Sequence, residues 1–148
     1  MILIVQSQWN PEITDSLRTA AESILVERKM AFESIKVPGA LEIPLAIKWA
    51  WQTGQENQAP LRGVIACGCV IQGETHHFDI VANESSRALM NLSLELGLPI
   101  GNAILCVFDA NQALARSQPE SNKGREASLA VLDMIDLKNK KKYSTKFL

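Results

Sequence analysis

The sequence has almost no net charge, little cysteine and no long apolar run. Fifteen Lys and Arg against sixteen Asp and Glu leave a formal charge of −1. Such a balance supplies no whole-molecule field for nucleic acid or an anionic membrane. The one basic cluster is Lys138 to Lys142 with Lys146, at the end of the chain. No aromatic side chain interleaves Lys138–Lys142 to stack on bases, so a solvated helix end or tail is favoured over RNA contact. No apolar stretch approaches the roughly 20 residues that span a bilayer. Met1-Ile2-Leu3-Ile4-Val5 lacks a charged leader and stops at Gln6, unlike a secretory signal. Three cysteines, an odd number, fit a reducing cytoplasm better than a disulfide scaffold. The expectation is a cytoplasmic chain with neither a membrane nor a nucleic-acid partner.

What is present is a core. A length of 148 residues, 47% of them hydrophobic and 21% charged, gives one domain over 1–148, with 138–148 as a Lys-rich tail. Ile2–Val5 reads as a short strand. Asn10-Pro11 then starts a helix, with Asn10 as N-cap and Pro11 at the first helical position. Ile13, Leu17, Ala20, Ala21, Ile24 and Leu25 follow at helical spacing. Phe32–Val37 reads as a second strand, broken by Pro38-Gly39-Ala40. Glu42 opens a helix with Ile43, Ala46, Ile47, Ala50 and Trp51 on one face, and Thr53–Pro60 reads as a polar loop. Leu61–Cys67 forms the central strand and Ile80–Leu96 the helix behind it, ended by Gly97-Leu98-Pro99. Ile100–Phe108 supplies a fourth strand, Asp109–Arg116 a short helix and Ser117–Ser121 a turn. A last helix from Asn122 has Ala127, Ala130, Val131, Met134 and Ile135 inward.

Continuous apolar strands alternating with amphipathic helices predict an α/β fold: a three-layer, doubly wound sheet of about four parallel strands with helices on both faces. Ligands bind such sheets at the carboxyl ends of the strands. Trp9, Gly39–Glu42, Gly68–His77 and Phe108–Asp109 all fall there.

The residues at those ends restrict the chemistry. Gly68-x4-Gly73 has the spacing of a phosphate loop, but Glu74 stands where a nucleoside-triphosphate loop needs lysine. An ATPase or kinase is thereby excluded. A smaller phosphate on the amides of Glu74 and Thr75 and a plain turn capped by Thr75 remain of equal weight. Cys67-x-Cys69 with His76-His77 lacks four converging donors, so packed cysteines are favoured over a metal site. Trp9 is a core or interface aromatic in the plainer reading and a ligand-stacking ring in the other. A carboxylate such as Glu42 suits a first helical turn with or without a ligand. One of two adjacent histidines can face a ligand and act as acid or base near neutrality, and spacing does not say which.

Three blocks carry a resemblance: Val37-Pro38-Gly39-Ala40-Leu41-Glu42-Ile43-Pro44; Gly68-Cys69-Val70-Ile71-Gln72-Gly73-Glu74-Thr75-x-His77-Phe78-Asp79; and Asn122-Lys123-Gly124. In this order they resemble the signature of the 6,7-dimethyl-8-ribityllumazine synthases, over Ile2 to about Leu137. The resemblance implies a flavodoxin-like strand order and a step of riboflavin biosynthesis. 5-Amino-6-(D-ribitylamino)uracil condenses with 3,4-dihydroxy-2-butanone 4-phosphate through an imine, phosphate elimination and ring closure, with no cofactor and no metal.

It also implies roles. Trp9 takes the place of the ring that stacks on the pyrimidine. Ala40, Leu41 and Glu42 match the segment holding the pyrimidine and ribityl chain, and Cys69, Val70 and Ile71 the pyrimidine-edge segment. Glu74 and Thr75 match the phosphate-binding amides, Arg116 the guanidinium beside them, His77 the proton-moving histidine and Lys123 a lysine near the site. The implied assembly is a homo-oligomer built from pentamers, with Gly101, Asn102 and Arg116 reaching the site from a neighbouring chain and riboflavin synthase as a candidate partner. Asn102 stands where some members have a second aromatic residue, and Gln72 where a basic residue is frequent. A chain beginning in its first strand favours a lone pentamer or decamer over a sixty-subunit shell. The rivals are a flavin- or lumazine-binding relative without catalysis, which has no need of Glu42, Thr75, His77, Arg116 and Lys123 together, and a riboflavin synthase on the same fold, which releases no phosphate.

Overall fold

The structure is a computed structural model and describes residues 1–141; Lys142 and Lys146 of the basic cluster lie outside the described residues. Four strands, β1 (Ile2–Ser7), β2 (Phe32–Val37), β3 (Gly63–Ile71) and β4 (Ile100–Val107), alternate with helices α1 (Pro11–Glu27), α2 (Ile43–Glu56), α3 (His77–Leu96), α4 (Ala110–Ala115) and α5 (Lys123–Lys141). The strands form one all-parallel sheet in the order β2-β1-β3-β4, the flavodoxin-like order expected.

Each face of the sheet buries its own core. Ile2, Ile4, Ile65, Cys67, Ala103 and Leu105 pack under α1 and α5, whereas Leu3, Val5, Val64, Ala66 and Ile104 pack under α2 and α3. The alternation along β1 and β3 is the two-residue period of a strand buried on both faces. Helix α5 lies on α1 across Gly124, where a Cβ would stand 2.0 Å from the Leu17 carbonyl oxygen.

Several boundaries differ from the sequence reading. Helix α2 runs on through Thr53–Glu56 because Gly54 is buried against the Ala59 carbonyl, so the polar loop is shorter. The central strand continues to Ile71: Gly68–Ile71 pairs with Ile104–Val107 rather than forming a turn. Helix α3 starts at His77, three residues before Ile80. Helix α5 extends to Lys141, so Lys138 to Lys141 form a helix end, one of the two readings of the basic cluster. Its inner face also shifts: Ala130 and Met134 are exposed, and Ser128 and Leu132 are buried beside Ala127, Val131 and Ile135.

One mismatch positions the site. Pairing between β1 and β3 ends at Gln6–Cys67, yet β3 runs to Ile71 while β4 accompanies it. The last residues of β3 therefore overhang β1. The Gln72 N–H donates to the Val107 carbonyl on the β4 side. Successive residues of a strand alternate the edge to which their peptide groups point, so those of Cys69 and Ile71 face the vacated β1 side.

Candidate active site

A cleft of about 480 Å³ opens at that overhang, lined by Ser7, Trp9, Asn10, Gly39–Glu42, Cys69–Ile71, His77 and Val81. It brings together eight of the predicted residues: Trp9, Ala40, Leu41, Glu42, Cys69, Val70, Ile71 and His77. Ala40 and Cys69 are buried, while Trp9, Leu41, Glu42 and His77 are exposed. Trp9 presents its ring to the opening at 71% exposure, too open for a core aromatic.

The glycine of the Pro38-Gly39-Ala40 break has a specific use. A Cβ on Gly39 would stand 2.9 Å from Glu42 Oε2 and 3.7 Å from Trp9 Cδ1. Its absence lets the carboxylate and the indole approach one another over bare backbone. Glu42 itself ends a single 3-10 turn over Ala40–Glu42 and precedes α2 without a side-chain capping bond. The carboxylate is therefore not committed to the helix.

The two histidines separate. His76 Nδ1 lies 3.1 Å from Asp79 Oδ2, one turn along the helix and away from the lining. His77 opens α3 and lines the cleft. Thr75 Oγ1 accepts from the His77 N–H at 3.4 Å, a local turn bond one residue before the His76 N-cap, which itself carries no side-chain capping bond. Glu74 and Thr75 sit in an exposed loop before α3 and do not line the cleft; their amides precede the helix instead of lying in its first turn.

Asn102, Arg116 and Lys123 are brought together elsewhere. They line a second depression of about 370 Å³ along β4, the strand at the sheet edge, with Cys106 and Glu126. It shares no residue with the cleft. Asn122 builds this corner: its Oδ1 accepts from the amides of Gly124 and Arg125, and its Nδ2 donates to the Ser117 carbonyl. The Lys123 N–H donates to the Arg116 carbonyl at 3.0 Å, which ties the two residues' backbones together. Lys123 Nζ is 2.6 Å from Glu126 Oε2, and Arg116 Nη1 donates to the Gln112 carbonyl. Gly101 lies apart, turned under α5 against the Ala127 carbonyl; its position is one of helix packing.

Burial acts on the thiols. Cys67, wholly enclosed, has its pKa pushed up to about 12 by desolvation, and Cys69 to about 11. Both stay protonated near neutrality and are poor nucleophiles or metal ligands. Among the described residues no three His, Cys, Asp or Glu side chains are placed to hold a metal ion, and no helix is long and apolar enough to cross a membrane.

Sequence reasoning missed Asn10, Ser7 and Val81. Asn10 was readable only as a helix cap; its Nδ2 instead donates to the Cys69 carbonyl at 3.1 Å. The one available signal was the preference of asparagine for a left-handed backbone, which Asn10 adopts at φ 53°.

The family model described as 6,7-dimethyl-8-ribityllumazine synthase matches residues 1–139. The chain is 46% identical over 140 residues to the 6,7-dimethyl-8-ribityllumazine synthase of Bartonella tribocorum, covering 94% of this chain and 90% of that protein. It is equally similar to that of Agrobacterium fabrum, at 46% over 94% of this chain and 95% of the relative. Synthase 1 of Rhizobium meliloti is 44% identical, over 94% and 92%. The chain belongs to the 6,7-dimethyl-8-ribityllumazine synthase family.

Proposed function

We propose that the chain is an enzyme of riboflavin biosynthesis that condenses 5-amino-6-(D-ribitylamino)uracil with 3,4-dihydroxy-2-butanone 4-phosphate, releasing water, phosphate and 6,7-dimethyl-8-ribityllumazine. The observation that carries this is the single cleft in which Trp9, Ala40–Glu42, Cys69–Ile71 and His77 meet, in a chain of that family. A flat heteroaromatic ring stacks on the exposed Trp9 indole. Its polar edge meets the peptide groups of β3 left unpaired by β1. Glu42, Ala40 and Leu41 hold the ribityl hydroxyls and the ring.

His77 takes and returns protons as the pyrimidine amine attacks the ketone, water leaves to give the imine, phosphate is eliminated, and closure of the ribitylamino nitrogen onto the remaining carbonyl expels a second water. Arg116 and the amides of Glu74 and Thr75 receive the phosphate, because a guanidinium forms charge-assisted bonds to a phosphate through two parallel donors. Much of the acceleration comes from holding two reactants together.

Arg116, Asn102 and Lys123 serve the cleft of a neighbouring copy. What supports this is their placement along the open edge of β4, away from the chain's own cleft. Exposed apolar side chains on α2 and α3, Leu45, Trp49, Ile80, Met90 and Leu94, form surface that a homopentamer covers. Cytoplasmic location and riboflavin synthase as a partner belong to the same reading.

The test is lumazine absorbance and phosphate release after mixing protein with both substrates, against each substrate alone and a protein-free control. Acceleration with one phosphate per lumazine is expected. Pyrimidine binding without acceleration would turn the reading to a non-catalytic lumazine or flavin binder.

A further inference from the structure

Asn10 occupies the N-cap of α1, but its side chain makes no capping bond. Its backbone carbonyl takes the amides of Ile13 and Thr14, and the side-chain amide turns across the cleft to the Cys69 carbonyl at 3.1 Å. That carbonyl is one of the groups on β3 that β1, ending at Ser7, no longer pairs. A side chain thus supplies the donor that a longer strand would have supplied. The contact joins residues 59 positions apart, so it fixes one wall of the cleft against the other.

The neighbour of Asn10 is Trp9. Among the described residues its ring makes no hydrogen bond, and it is 71% exposed. A ring so open takes its position from the backbone that carries it. Here that backbone is a left-handed residue, φ 53° and ψ 59°, a conformation that asparagine tolerates and most side chains resist. We propose that Asn10 is a positioning residue: by tying the Trp9 turn to the Cys69 carbonyl, it sets the spacing between the stacking ring and the Cys69–Ile71 edge into which a flat heterocycle fits. The substrate named here rests on the proposed reaction; the geometry does not.

Two variants separate the bond from the backbone. Asn10→Gly keeps the left-handed turn and removes the amide. Asn10→Asp keeps a residue that tolerates the turn but sets an acceptor against the carbonyl. Calorimetric titration with the ribitylaminouracil should show affinity lowered about fivefold in Asn10→Gly, the worth of one ordinary hydrogen bond, and more in Asn10→Asp. The KM for the butanone phosphate should stay within about twofold, since a lost wall contact leaves the phosphate pocket alone. A crystal structure of Asn10→Gly should show the Trp9 ring displaced, a result that needs no substrate. Unchanged pyrimidine affinity in both variants, or a Trp9 ring that has not moved, would overturn the proposal. Wild-type protein that binds no pyrimidine would count against the reaction, and the ring position would still decide the role of Asn10.

Discussion

Asn102 holds the backbone of its own strand: its Oδ1 accepts from the Ile104 N–H at 2.9 Å. With the oxygen engaged, the side chain offers a neighbouring molecule only its amide N–H groups, where a second ring would offer a face. Asn102→Phe is expected to tighten pyrimidine binding about fivefold, within the ~0.5–1.5 kcal/mol of an aromatic pair. Titration of the variant checks this, and weaker binding would show that no ring is admitted there.

Arg116 stands exposed, and among the described residues its guanidinium makes one hydrogen bond, to the Gln112 carbonyl. Arg116→Ala should raise the KM for the butanone phosphate about thirtyfold, the scale of a charge-assisted hydrogen bond. The KM for the pyrimidine should change little. Equal effects on both would remove the phosphate role.

His77→Ala should lower kcat about a hundredfold, the lower end of general acid–base contributions, with pyrimidine affinity nearly intact. His76→Ala should leave kcat near the wild-type value, because His76 is turned to Asp79. A variant pair with the opposite pattern would exchange the roles of the two histidines.

Gly124→Ala tests the α1–α5 contact. A methyl group there meets the Leu17 carbonyl, and overpacking of this kind costs about 1–3 kcal/mol. Thermal unfolding should begin several degrees lower; an unchanged transition would mean that the two helices slide apart without penalty.

Cys67 makes stability fall with alkalinity. Its thiol titrates near 9.0 when unfolded and at about 12 in the fold, so the folded state favours the neutral form. That preference is fully present below pH 9 and is lost as pH rises towards 12. Between pH 8 and 10.5 the wild type should lose about 2 kcal/mol more than Cys67→Ala, read from urea midpoints at the two pH values. Parallel losses in both proteins would place the alkaline sensitivity elsewhere.

The sheet was legible from its apolar runs: Ile2–Val5, buried at every residue, and Ile100–Phe108, apolar except for Gly101 and Asn102, each lie within two residues of the observed strands. The misplaced end of β3 has a physical reason. Gly68 and Gly73 look like a turn in sequence, yet Gly68 is a strand residue with Ser7 Oγ and Ile104 packed where a Cβ would go. The cleft was legible in its side chains, Trp9, Glu42 and His77. Asn10 was not, since nothing local to an Asn-Pro pair reveals an acceptor 59 residues away. Ala130 and Met134 failed for a related cause: an apolar stripe shows which residues can face inward, while the close approach at Gly124 sets the rotation of α5.

The overhang of β3 beyond β1 has an evolutionary corollary. A ligand edge read by the peptide groups of Ile71 is read by atoms that every amino acid except proline possesses. Substitution can alter the flanking side chains without erasing that recognition, which makes the segment mutationally robust. What it cannot absorb is an insertion or deletion: one residue added to β3 before Ile71 turns its peptide to the β4 side and presents the wrong edge. Drift in this part of the fold is therefore open in composition and closed in length.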